Sequence, residues 1–256
     1  MPYAFAHPAA VVPLAKLLGR RSVPSALAIG SMAPDAWYLV PLVGRDQAHS
    51  ILGAFWFCLP VALLAYAAFH LIFKEPVLAL MPRRLGGRLA AWTPAGLPAA
   101  PWLSVLVSVM AGVATHVAWD AFTHAGHFWF VEQALFPGVP LYRVLQHAST
   151  LIGTAFLAVW LWRKLRTTQS VRNLPEIGRR LRLAALAGLL IVPAAVFVSV
   201  LAAFDPGALR TALRAGGITA LSTLGLVLLF FCLVLNPRLR ARPRRSARAS
   251  STARPR

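Results

Sequence analysis

The sequence predicts an all-α protein, a polytopic bundle of transmembrane helices. Three observations carry this. Of the 256 residues 58% are hydrophobic and only 13% are charged, against roughly a quarter charged in soluble domains. Mean hydropathy is +0.66. Several apolar runs reach the approximately 20 residues that a helix needs to cross a bilayer.

Five runs serve as spans. Ile51–Phe73 is bounded by Lys74 and Glu75, and Trp102–Phe122 contains His116 and Asp120. Ala148–Trp162 is short and is stopped by Arg163 and Lys164. Leu183–Phe204 carries Pro193 as a kink, and Ile218–Leu235 is closed by Asn236-Pro237. Val23–Val43 is apolar but broken by Pro24, Pro34, Asp35 and Pro41, so it reads as a re-entrant or interfacial segment.

The formal charge is +19, yet the basic residues sit between apolar runs and in the tail. That is the pattern of a topology signal rather than a nucleic-acid groove, and no nucleic acid is expected as a partner. Lys74, Arg83, Arg84 and Arg88 follow the first span, and a second basic group from Arg163 to Arg182 follows the third. Arg238–Arg256 follows the fifth. The positive-inside rule places these in the cytoplasm of a multi-pass protein of the plasma (inner) membrane. Lys16, Arg20 and Arg21 run against the rule unless residues 23–43 cross. Residues 1–236 then form the helical membrane domain. Residues 237–256 form a disordered basic cytoplasmic tail that can touch anionic lipid headgroups. Met1–Ala10 lacks the pattern of a signal peptide. Cys58 and Cys232 each lie inside an apolar run, which excludes a disulfide framework.

Ionisable residues beside or within apolar segments are costly, and so are functional candidates. His116, Asp120 and His124 stand at i, i+4 and i+8 and share one helix face. Imidazole and carboxylate are ligands for zinc and similar divalent metals. A polar helix stripe held by His–Asp hydrogen bonds is the competing reading. Asp35 follows a proline in apolar surroundings, His49 immediately precedes the first span, and His7 lies near the N-terminus. The charge-derived topology puts His7, Asp35, His49, His116, Asp120, His124 and His147 on the outer side. His70 falls at the opposite end and reads as structural.

Phe5-Ala6-His7-Pro8-Ala9-Ala10, Gly30-Ser31-Met32-Ala33-Pro34-Asp35, His49-Ser50 and His116–His124 resemble a bacterial membrane family, number 4184 among the domains of unknown function. The resemblance covers most of residues 1–165. The order Pro34-Asp35, His49, His116-x-x-x-Asp120, Thr123-His124 is also distantly similar to membrane-bound metal-dependent hydrolases related to zinc-dependent phospholipase C. That likeness implies His7, Asp35, His49, His116, Asp120 and His124 as ligands of one or two zinc-type ions. It implies hydrolysis of a phosphoester, lipid-linked or in a headgroup, at the outer membrane face. The order of these residues is also similar to the soluble phospholipase C and single-strand nuclease group, from which this chain departs at His147, followed four residues on by Leu151 rather than by Glu. Glu132 is a conceivable substitute, Asp46 a conceivable base, and Arg45 and Arg143 conceivable phosphate contacts. A non-enzymatic membrane protein, structural or a small metal or proton transporter, is the alternative. A serine hydrolase built on Ser31 or Ser50 lacks a glycine-flanked nucleophile elbow.

Overall fold

The computed structural model describes residues 6–39, 42–92, 96–171 and 177–240. It is helical almost throughout, and among the described residues five helices are long and apolar enough to cross a membrane: Ile51–Leu80, Trp102–Thr123, Leu141–Thr167, Arg179–Ala202 and Leu209–Asn236. The chain divides into two compact units, residues 1–71 with 91–169 and residues 72–90 with 170–256.

The first unit opens with α1 (Pro8–Leu18) and α2 (Pro24–Gly30), each started by a proline in its first turn, where the missing N–H is harmless. The helices form a hairpin. A helix of α1's length rises about 16 Å, which carries Arg20 and Arg21 at the hairpin tip away from His7. The basic tip is thus displaced from the polar end although residues 23–43 do not cross. Among the described residues of this stretch are α2 and a 3₁₀ segment at Ala33–Tyr38, followed by α3 (Arg45–Ala48), none long enough to span. The tip is fixed by the Val23 N–H, which donates to buried Ser108 Oγ at 2.9 Å. Ser108→Ala is expected to leave that donor unmet and to cost about 1–3 kcal/mol, read as a lower thermal midpoint in detergent.

Three longer helices complete this unit: the start of α4 (Ile51–Leu80), α6 (Trp102–Thr123) and α8 (Leu141–Thr167). Val23 and Ala26 pack in one core with Val105, Val109 and Val113 of α6, all buried. The two backbones touch because Gly30 and Gly112 carry no side chain. A Cβ on Gly30 would collide with the Val109 carbonyl oxygen, and one on Gly112 would collide with the Leu27 carbonyl oxygen. Small residues are what bring membrane helices this close. Beyond α6 come a four-residue helix α7 (Trp129–Glu132) and a two-stranded hairpin, β1 (Ala134–Phe136) against β2 (Val139–Pro140).

The second unit holds the end of α4, α5 (Arg83–Ala90), α9 (Arg179–Ala202) and α10 (Leu209–Arg240). Its small core gathers Leu80, Ala185 and Leu235. Arg182 Nε donates to the Leu80 carbonyl at 3.1 Å.

Several boundaries differ from those read in the sequence. The first span continues past Lys74, Glu75 and Pro76 to Leu80, with Lys74 buried. The third begins at Leu141 rather than Ala148; of the polar residues in its first turns Gln146 is buried, while Arg143 and His147 stay exposed. The fifth passes Asn236-Pro237 and ends at Arg240. A proline removes one N–H and a helix can continue through it, as α9 does at Pro193. The expected disorder of the tail concerns residues that, from 241 onward, lie outside those described. The α4 helix contains two π segments, Ala54–Cys58 and Phe69–Phe73. The second sets His70 Nε2 3.0 Å from Ser25 Oγ.

Candidate metal centre

Each of the six residues singled out in the sequence stands at one end of the first unit. His7 immediately precedes α1, and Asp35 lies in the first turn of the 3₁₀ segment. His49 ends α3, where its N–H donates to the Arg45 carbonyl. His116 and Asp120 occupy the last turns of α6, and His124 follows it.

The geometry turns on two imidazoles. His116 Nδ1 lies 2.8 Å from the Ser31 carbonyl oxygen, and His49 Nδ1 lies 2.9 Å from the Arg45 carbonyl oxygen. A carbonyl can only accept, so both Nδ1 atoms carry the proton. In their neutral form both rings then keep an Nε2 lone pair, and the two Nε2 atoms face each other at 3.2 Å. Two facing lone pairs repel unless something positive lies between them. Fixing Nδ1–H to a carbonyl is also how metal-ligating histidines are usually oriented.

Carboxylates complete the shell. Asp120 Oδ2 lies 3.3 Å from His49 Nε2 and 3.6 Å from His116 Nε2. Asp35 Oδ1 lies 3.8 Å from each. Tetrahedral ligands at 2.0–2.1 Å from zinc stand about 3.3–3.4 Å apart, so the spacing suits a small divalent ion. The other Asp120 oxygen, Oδ1, lies 3.6 Å from His7 Nε2 and 3.4 Å from His124 Nδ1. Both ring nitrogens of His7 and Asp120 Oδ1 are buried with no hydrogen-bond partner among the described residues. Buried orphans of this kind are rare and ask for a missing partner. The His7 ring stacks on His116 at 3.8 Å between centroids.

The local charge is negative. Two aspartates against Arg45, whose Nη2 is 3.2 Å from Asp120 Oδ2, leave one excess negative charge with neutral histidines. Burial, helped by neighbouring His116, pushes the His7 imidazole down to about 3. His7 is therefore an uncharged base with a lone pair to offer at neutral pH. Burial also lowers His124, and it raises the Asp35 carboxyl. A cation held against Asp35 would reverse that last shift, since an opposite charge favours the carboxylate.

The remaining candidates fall away for identifiable reasons. His147 and His127 are exposed. The buried neighbour Gln146 faces the cluster instead, its Nε2 3.4 Å from His124 Nε2. Its polar neighbours Arg143 and His147 keep Gln146 outside a span read from hydropathy alone. His147→Ala is expected to leave bound metal unchanged, whereas Gln146→Ala is expected to weaken it by about tenfold, as loss of an outer partner does. Titration of the purified protein with divalent metal checks both. Asp46 has a fully exposed side chain paired only loosely with Arg45, at 3.9 Å. Glu132 accepts from the Gly126 N–H, and Arg143 is exposed. Ser31 Oγ donates to the Ala28 carbonyl, and Ser50 Oγ both donates to Gln47 and accepts from Gly53. Both serines are engaged in local backbone structure rather than paired with a base.

Five apolar helices and a converging His/Asp cluster define a multi-pass helical membrane protein with a polar centre at one end of its first unit. The chain belongs to the family described as "Domain of unknown function (DUF4184)", which matches residues 1–235. The match reaches well past residue 165, where the resemblance noted in the sequence faded. No curated protein and no solved structure gave a match.

Proposed function

We propose that this protein is a divalent-metal hydrolase of the membrane, acting on a phosphoester at the outer face. The supporting observation is the Nε2-to-Nε2 approach of His49 and His116, with Asp35 and Asp120 around it. His7 and His124 beside the second Asp120 oxygen offer room for a further ion. A bound divalent ion would lower the pKa of its water to near 7 and so supply hydroxide. Arg45, beside Asp120 and partly exposed, is placed to meet a phosphate oxygen as a fork of N–H donors. Asp35 is also less enclosed than His49 and His116, so solvent reaches the centre on the Asp35–Arg45 side. The outer-face placement rests on the Lys and Arg distribution of the sequence.

The test is hydrolysis of phosphomonoester and phosphodiester substrates by detergent-purified protein, with zinc or manganese and with chelator. Turnover that disappears on chelation and in Arg45→Gln supports the reading. Bound stoichiometric metal without any turnover would instead assign the centre a structural or transport role. Metal removal alone is expected to lower the thermal midpoint. A ligand at 100 times its Kd stabilises by about 2.7 kcal/mol, and differential scanning fluorimetry with and without chelator reads the difference.

A further inference from the structure

A cavity of about 520 Å³ opens on the first unit between α1, α6 and α8. Its wall is almost wholly apolar, with Ala118 and Phe122 on one side and Ala148 and Ile152 on the other. Trp119 and Thr123 belong to the same wall and join it to the polar centre. The Trp119 ring meets His7 edge-on at 6.0 Å, and Thr123 Oγ1 lies 3.3 Å from His124 Nδ1.

Two of the walls are helices long and apolar enough to span, so the mouth opens on the face of the unit that would meet lipid. A cavity of this size and lining gives water too few polar partners to enter. Being an open groove rather than a sealed void, it offers its apolar lining to a neighbouring chain for dispersion contact. We propose that the cavity holds an acyl chain of a membrane phospholipid, entering sideways between α6 and α8. The lipid's headgroup end is then delivered beside His7 and His124. This second step rests on the hydrolase reading above and narrows its substrate to a long-chain lipid phosphoester.

The chain site is tested without activity. The protein is reconstituted in nanodiscs containing phospholipid spin-labelled near the end of one acyl chain, and electron spin resonance reads the immobilised component. Wild type and Ala158→Trp, which lies on α8 outside the lining, are expected to show it. Ala148→Trp and Ala118→Trp, filling the cavity from opposite walls, are each expected to lose most of it while retaining metal. An equal immobilised fraction in all four proteins would mean surface lipid only and would overturn the proposal. Turnover then tests the delivery step. Ala148→Trp is expected to slow a long-chain phospholipid by about tenfold or more, the scale set by a filled apolar pocket, and to spare its soluble short-chain analogue. Equal slowing of both overturns delivery. No turnover of either by wild type overturns the hydrolase reading and leaves the spin-label result standing.

Discussion

Replacing His116 with alanine is expected to strip a stoichiometric divalent ion from the purified protein. His116 is fully buried, its Nδ1 is anchored to Ser31, and its Nε2 meets both His49 and the two aspartates. Loss of an outer partner alone weakens metal sites by 10–100-fold, so loss of this ligand should exceed about 100-fold. His49→Ala should do the same from a different element, which separates ligand loss from any local fault in α6. Asp120→Asn keeps the shape of the side chain while removing its charge, and should also release the ion. Elemental analysis of wild type and the three variants reads the outcome. Equal metal in all four, or none in wild type, would show that the cluster is a hydrogen-bonded stripe with no cation.

Gly112→Val is expected to destabilise the first unit more than any surface change. The new Cβ would collide with the Leu27 carbonyl oxygen and come within 2.7 Å of the Ser31 nitrogen and 3.0 Å of the Gly30 carbonyl carbon. These are backbone atoms that cannot rotate aside, so α2 must shift. Overpacking of this kind costs about 3 kcal/mol, or roughly 6–12 °C in thermal midpoint for a chain of this size. The shift also moves the Ser31 carbonyl that orients His116, so metal affinity should fall along with stability. Gly217→Val meets nothing within 4 Å and serves as the control. A Gly112→Val protein that melted with wild type and kept its metal would disprove the backbone contact.

How much of this was legible in the sequence follows from the kind of signal each feature leaves. His116, Asp120 and His124 repeat at helical spacing inside an apolar run, so their common face was readable from period alone. Asp35 and His49 could be assigned only to a side of the membrane. Their approach to His116, within 3.8 Å, depends on how short helices fold back on α6, and pairwise spacing in the sequence carries no trace of that. Gln146 was missed for a related reason. Its burial is a property of the α8 start facing the cluster, whereas a hydropathy window sees only polar residues and places the span later. The π segments of α4 are likewise invisible to composition.

By itself, then, the sequence determined the bilayer as solvent, the number of spans and the inventory of ionisable side chains. Those are sums over local transfer free energies, fixed by residue type and run length. Only the tertiary structure decided that two imidazoles, each with Nδ1 on a carbonyl oxygen from another turn or helix, face each other through Nε2. Gly30 and Gly112 permit it, because without a Cβ at either position the helix carrying Ser31 lies directly on the helix carrying His116.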